Sequence, residues 1–415
     1  MAHIAPYDIT LANGLRVVMC PDNTAPVVNV TVMYRVGSHD ELHGKTGLAH
    51  LFEHLMFDNA APGVDKQYDV YCTKAGGSNN AYTTFDYTTY HIDLPAHNLE
   101  LGLWLESERM RAFRITDHAL QTQRSVVVEE INQNVFNQPY GVWRKAQQEI
   151  AYTSASSYSW DVYGSPDDVA AVTMDDAKNF FETFYHPSNA VVCIAGDIEI
   201  GNAQELVERY FGTISDAGAT IARTQFLPEM MRAGTHATVT DNVPLTAVFL
   251  SLHMPGFSNN ELLDAEIAAS IIGSGRSSVL YKRLVSDLRI ASGVGCFLDR
   301  RAHDSLLTIY AYAADESVTA DQLVSATTDI LSQTVVTTAM LESAVNKMKT
   351  AHAAELQKAN GVADVVAWTT LFWNDPLYVN TALARYGTVT TEDIQSIVAR
   401  CASTSESVRL DITPQ

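Results

Sequence analysis

The chain has 415 residues, 47% of them hydrophobic, and carries 27 Lys plus Arg against 48 Asp plus Glu, a formal net charge of −21. That length suits two domains of about 200 residues each better than one core, and the apolar share can fill both, as in a soluble globular protein. The anionic excess leaves too few clustered cations for a phosphate-binding face, which excludes nucleic acid and anionic membrane surfaces as expected partners.

In chain order, DITLANGLRVVM alternates apolar and polar residues around Asn13-Gly14 and predicts a hairpin. VVNVTVMYRV, residues 27–36, predicts a strand, and TGLAHLFEHLMF a helix over about 46–57. The strand-rich run GGSNNAYTTFDYTTYHIDL follows, then a helix in NLELGLWLESERMR and one long helix over about 117–150. A helix before Pro187, the strand NAVVCIAG and the helix AQELVERYF close the first half. Strands, then helices, then strand and helix is an α+β order rather than a doubly wound parallel sheet.

The second half repeats the first in outline. VTMDD at 172–176 and VTTED at 389–393 lie 217 residues apart, and the same shift carries VVNVTVMY at 27–34 onto the strand-like PLTAVFLS at 244–251. Two related domains are therefore expected, 1–215 and 236–415, joined by a linker at 216–235 where Gly, Ala and Thr crowd without periodicity. The shift places HLFEH on IAASI, residues 267–271, so the second domain is expected to be metal-free.

Cys20, Cys72, Cys193, Cys296 and Cys401 are odd in number, scattered and free of CxxC pairs, which fits a reducing compartment better than a disulfide framework or thiolate zinc knuckle. The opening MAHIAPYDITLANGL has no basic segment ahead of an apolar core, and no apolar run reaches the ~18 residues of a membrane span. A cytoplasmic location is expected, a trimmed leader aside.

In HLFEH, residues 50–54, the i, i+3, i+4 spacing puts His50, Glu53 and His54 on one helical face. Two neutral imidazoles can converge on one zinc ion, with a third ligand still to be found, and Glu53 is placed as general base for a water the metal activates. Manganese or cobalt would also suit such donors. The bland alternative is a helix with two partly exposed histidines, but the helix is apolar, where imidazoles and carboxylates need partners.

HLFEH is the inverted zinc motif, and its surroundings resemble the pitrilysin and insulinase family of metallopeptidases, in particular half-length members similar to mitochondrial processing peptidase. The resemblance implies that family's two-domain fold, one zinc per chain, and a third ligand in a helix reading roughly ERxVVxxE. QRSVVVEEI at 123–131 places Glu130 there, 76 residues beyond His54, with Glu129 as second choice about 100° around the helix. Gln123 stands where the family usually has a second, supporting glutamate, a loss of charge expected to tune metal affinity. GGSNNAYTTFDYTTY resembles the family's GGxxNAxTxxDxTxY, which implies that Asn80 and Ala81 lie on an edge strand that pairs with the substrate backbone. YGSPDDVAAVTMDD and YHPSNAVVCIAGD extend the likeness through the first half.

The second half departs from the family. SSVLYKRLVSDLRIASGV places Val285 and Ser292 where many active members have an Arg and a Tyr that bind substrate, with Arg289 as a compensating residue only if the register shifts. GSGRSS at 273–278 reads as a turn between helices rather than a phosphate loop. The resemblance thus implies a zinc-dependent endopeptidase or oligopeptidase subunit acting on peptides or unfolded segments, the metal-bearing half of a dimer. A heterodimer with a related subunit that supplies the missing Arg and Tyr is preferred to a homodimer. The alternatives are a non-catalytic structural core subunit of the same fold and a chaperone that traps peptides without cutting them.

Overall fold

The computed structural model describes residues 3–58, 68–216, 221–258 and 261–415. Its strands and α-helices run, in order, β1 (Tyr7–Thr10), β2 (Arg16–Pro21), β3 (Val27–Tyr34), α1 (Leu48–Leu55), α2 (Tyr68–Lys74), β4 (Ser78–Thr83), β5 (Thr88–Pro95), α3 (Leu99–Arg111), α4 (Asp117–Ile131), α5 (Trp143–Ala151), α6 (Pro166–Ala171), α7 (Met174–Phe184), β6 (Ala190–Gly196) and α8 (Ile200–Phe211). The second half continues with β7 (His236–Asp241), β8 (Ala247–Pro255), α9 (Glu261–Gly273), β9 (Ala291–Asp299), β10 (Asp304–Ala313), α10 (Ala320–Gln333), α11 (Thr338–Glu355), α12 (Ala359–Trp373), α13 (Tyr378–Arg385), α14 (Thr391–Cys401) and β11 (Ser407–Pro414). The α+β architecture is present, and no described helix is long and apolar enough to cross a membrane.

Two sheets share one topology. The first has the order β1-β2-β6-β3-β5-β4, the second β7-β11-β8-β10-β9. In each the first half-sheet contains one parallel pair, β2 with β6 and β7 with β11, and the remaining pairs are antiparallel. The internal repeat is therefore real in three dimensions. Shifted by 217, α7 falls on α14 from end to end, and both helices start in the same capping box, Thr173 with Asp176 and Thr390 with Asp393. The shift weakens toward the N-terminal side: the strand expected at 244–251 is β8, which starts at Ala247. IAASI lies inside α9, with Ile267, Ala268, Ala269 and Ile271 buried.

Two expectations need correction. The helix expected over 117–150 is broken: α4 ends at Ile131, a π-helical turn covers Asn132–Phe136, and α5 starts only at Trp143. Pro139 explains the gap, since it cannot donate to a helix and pushes the residue before it out of the helical region; Tyr140 then takes a left-handed φ of 64°. The contiguous division at 216–235 is also not how the chain packs. One compact unit comprises Met1–Glu130, Val162–Thr224 and His352–Ala382, the other Ile131–Asp161, Gln225–Ala351 and Leu383–Gln415.

Apolar faces account for the interleaving. In the first unit α12 lays Val362, Ala363, Val366 and Ala367 against Val18, Cys20, Met33, Val191 and Cys193 of the sheet. In the second, Trp143 of α5 stacks on Phe249 at 5.0 Å, and Ala146 and Ile150 pack on Leu410 and Ile412. Shifted by 217, α5 falls within α12, so each half of the sequence contributes the same helix to the unit built on the other half's sheet. The expected linker is divided as well: Arg223 pairs with Asp40 in the first unit, while Met231 bridges to Tyr152 in the second. Residues 217–220 of that linker lie outside the described residues.

Candidate metal centre

The helix α1 carries the motif, and its first turn is held by its neighbours. Gly47 takes a φ of 82°, and a Cβ there would meet the Tyr163 carbonyl at 2.4 Å, so only glycine lets the 163–164 segment approach. The buried Glu41 carboxylate caps the helix by accepting from the backbone N–H of Gly47 at 2.9 Å and of Ala49 at 2.7 Å. A negative charge at that end is also favoured by the helix dipole. Thr46, tied to Asp168 through its N–H and hydroxyl, fixes the chain just before the helix.

One turn and a half of this helix presents the three motif side chains. His50 is buried and His54 half-buried, their rings 4.9 Å apart and nearly perpendicular. Glu130, in the last turn of α4, comes to 3.8 Å from His50 Nε2 and 3.3 Å from His54 Nε2. Among the described residues these three form the one His/Cys/Asp/Glu group able to hold a metal ion, their ligand atoms within 4.8 Å of one another. Glu129 is exposed and stands outside the group. Tyr163 packs edge-on against His50 at 5.0 Å and its hydroxyl bonds Glu130.

The protonation states suit a metal. Burial, with His54 adding to it, drives His50 down to about 4, so its ring is neutral at ordinary pH. Hydrogen bonding from His54 holds Glu130 below the usual carboxylate range, with help from both imidazoles and from Tyr163. His50 Nδ1 is buried without a hydrogen-bond partner, a costly condition in a protein interior. Two imidazoles and a carboxylate are a zinc donor set that leaves a coordination position open. The residues present fit the ion.

Glu53 is placed apart from the ligands. Burial pushes its carboxyl up, opposed chiefly by the Thr83 hydroxyl, which donates to Oε2 at 2.6 Å. A carboxylate whose proton affinity is raised by burial is a stronger general base. Thr83 ends β4, the outermost strand of its sheet, and Asn80 and Ala81 lie on the same strand opposite His91 and Tyr90 of β5. Gln123 does not touch the ligands: its Nε2 donates to Asp58 at 2.6 Å, two helical turns before Glu130.

In the second unit, Val285 is half-buried in a π-helical turn (Tyr281–Asp287), and Ser292 is exposed on β9 with its hydroxyl donating to the Ala313 carbonyl at 2.9 Å. Arg289 lies between them with a left-handed φ of 57°. GSGRSS forms the turn after α9. Sequence reasoning missed Glu41, Thr83 and Tyr163. Thr83 had a readable signal, because residues i and i+2 share a strand face and Ala81 was already singled out; Tyr163 reaches the site from a distant segment and had none, and Glu41, six and eight residues before the N–H groups it caps, matches no usual cap spacing.

The chain resembles known proteins over most of its length. The sequence matches the family model described as Insulinase (Peptidase family M16) over residues 16–156, and the one described as Peptidase M16 inactive domain over residues 171–350. A relative from Helicobacter pylori named zinc protease PqqE is 32% identical over 287 residues, 68% of this chain and 64% of its own length, so the match spans under two thirds of that protein. The crystal structure of a protease from Helicobacter pylori superposes with a TM-score of 0.92 at 27% identity, covering 99% of this chain and 100% of that one. A peptidase M16 inactive domain from Pseudomonas fluorescens shares the fold at a TM-score of 0.87 and 13% identity, covering 99% and 98%. With the inverted motif assembled on α1 and both halves matched, this chain belongs to the insulinase (M16) family of peptidases.

Proposed function

We propose that the chain is a zinc-dependent endopeptidase or oligopeptidase subunit in which His50, His54 and Glu130 hold the ion. The observation that carries the reading is the convergence of these three side chains within 4.8 Å, two of them on the helix that also presents Glu53. Zinc, when bound, supplies Lewis acidity toward water and toward the scissile carbonyl. Glu53 takes the proton from the attacking water and returns it to the leaving amide nitrogen. β4 docks an extended peptide along its outer edge at Asn80 and Ala81, which favours backbone recognition over side-chain selection.

Val285 and Ser292 leave the second unit without the Arg and Tyr that the family resemblance would supply, so a related partner subunit provides them and the isolated chain is slow. The same two residues, Gln123 and the inactive-domain match over 171–350 favour a second reading, a non-catalytic subunit. Zinc content and quenched-peptide hydrolysis, measured together on wild type, Glu53→Gln and Glu130→Gln, separate the two. Wild type and Glu53→Gln should hold about one zinc per chain, with hydrolysis in the glutamine variant down by ~10² or more. Glu130→Gln should lose metal affinity beyond the ~10–100-fold typical of a merely supporting residue. Turnover by the wild type should rise when the partner is added. No tightly held metal in the wild type would leave the non-catalytic reading.

A further inference from the structure

We propose that Thr83 is a positioning residue that ties the peptide-docking strand to the general base; this rests on the function proposed above. Thr83 occupies the last position of β4 and pairs with Thr88 across the turn into β5, so its backbone is fixed by the sheet. Its hydroxyl donates to Glu53 Oε2 at 2.6 Å. A hydroxyl has one proton to give, and committing it to Oε2 orients the carboxylate and leaves Oε1 to accept from water.

The strand is also anchored on its other face. Alternation sends the neighbouring Tyr82 the opposite way, where its hydroxyl donates to Asp364 of α12 at 2.5 Å and its ring meets Tyr87 edge-on at 5.9 Å. Ala81, one residue further back, is on the Thr83 face. A peptide that adds to the outer edge of β4 at Asn80 and Ala81 therefore stiffens the segment that carries the Thr83 hydroxyl. Glu53 keeps its aim because the docking strand and α1 share one hydrogen bond. Loss of that bond leaves zinc and peptide binding in place and removes the orientation that proton transfer requires, for which misplacement by about 1 Å can cost ~10²-fold in rate.

The test compares Thr83→Val, which is isosteric and lacks the hydroxyl, with Thr83→Ser, which restores it, in the full chain. Thr83→Val should lower kcat by ~10–100-fold at unchanged KM and unchanged zinc stoichiometry, and Thr83→Ser should recover most of the loss. In the metal-free protein, Thr83→Val should lower the thermal midpoint in wild type and have no further effect in a Glu53→Ala background, as a shared hydrogen bond requires. A wild-type kcat in Thr83→Val, a loss confined to KM, a loss of zinc, or additive midpoint shifts would each overturn the proposal. Glu53→Gln runs in parallel: if it still hydrolyses peptide, the underlying assignment of the base fails instead.

Discussion

Burial of His50 beside His54 drives its imidazolium pKa down to about 4, against an ordinary value of 6.5. The unfolded chain therefore binds that proton more tightly than the folded one. Folded metal-free protein loses stability as pH falls from about 6.5 through about 4, and the contribution is fully present above that window. Glu130 has linkage of the same sign at lower pH: its folded pKa is depressed below the ordinary 4.5, so the stability it adds is lost as pH falls from about 4.5 through the lower folded value. Urea unfolding of the metal-free chain from pH 7.5 to about 4 should show the midpoint falling, and His50→Gln should flatten the slope in the upper part of that range. His50, Glu53 and His54 were legible in the sequence because helical spacing is a local property, and Glu130 through a second local motif. Tyr163 and the partner of the Thr83 hydroxyl were not, because each depends on where a distant segment returns, and Glu41 caps its helix from six and eight residues away across an irregular turn.

Capping boxes are the clearest case at the element scale. Thr173 and Thr390 each accept from the N–H of the third helical residue while Asp176 and Asp393 reach back to the cap. These are the residues behind the VTMDD and VTTED resemblance, so the repeat was visible where it encodes a helix start. Thr173→Ala and Thr390→Ala should each cost about 1 kcal/mol, measured by urea denaturation, and to a similar extent because the two helices start alike. Strands repeat less visibly. β3 and β8 share a place in their sheets but almost no residues, since burial on both faces asks only for apolar side chains of suitable shape. The misread helix over 117–150 has a residue-level cause in Pro139, which outweighs the helical periodicity on either side.

For the whole molecule, the exchange of α5 and α12 sets what can fold alone. A fragment ending at Thr224 keeps the zinc motif and its sheet but lacks α12, leaving Val18, Met33, Val191 and Cys193 without their cover. Exposed apolar surface of that kind leads to association or loss of fixed packing. Residues 1–224 expressed alone should give weak near-ultraviolet circular dichroism and aggregate on gel filtration, while co-expression with 225–415 should restore a discrete species. A monodisperse, well-packed 1–224 fragment would show that the helix is dispensable. The first half thus carries the whole candidate metal centre but not the whole of its own core.

The sequence by itself determined the α+β class and the repeat and singled out the candidate ligands and base, because each rests on spacing within one element or on a short motif at its start. Tertiary structure alone decided which helix covers which sheet, and that β4 reaches Glu53 through Thr83. It also decided that Glu41 and Gly47 shape the first turn of the helix that carries the motif. An apolar face states that it must be buried but not by which partner, and a hydroxyl states that it can donate but not to whom.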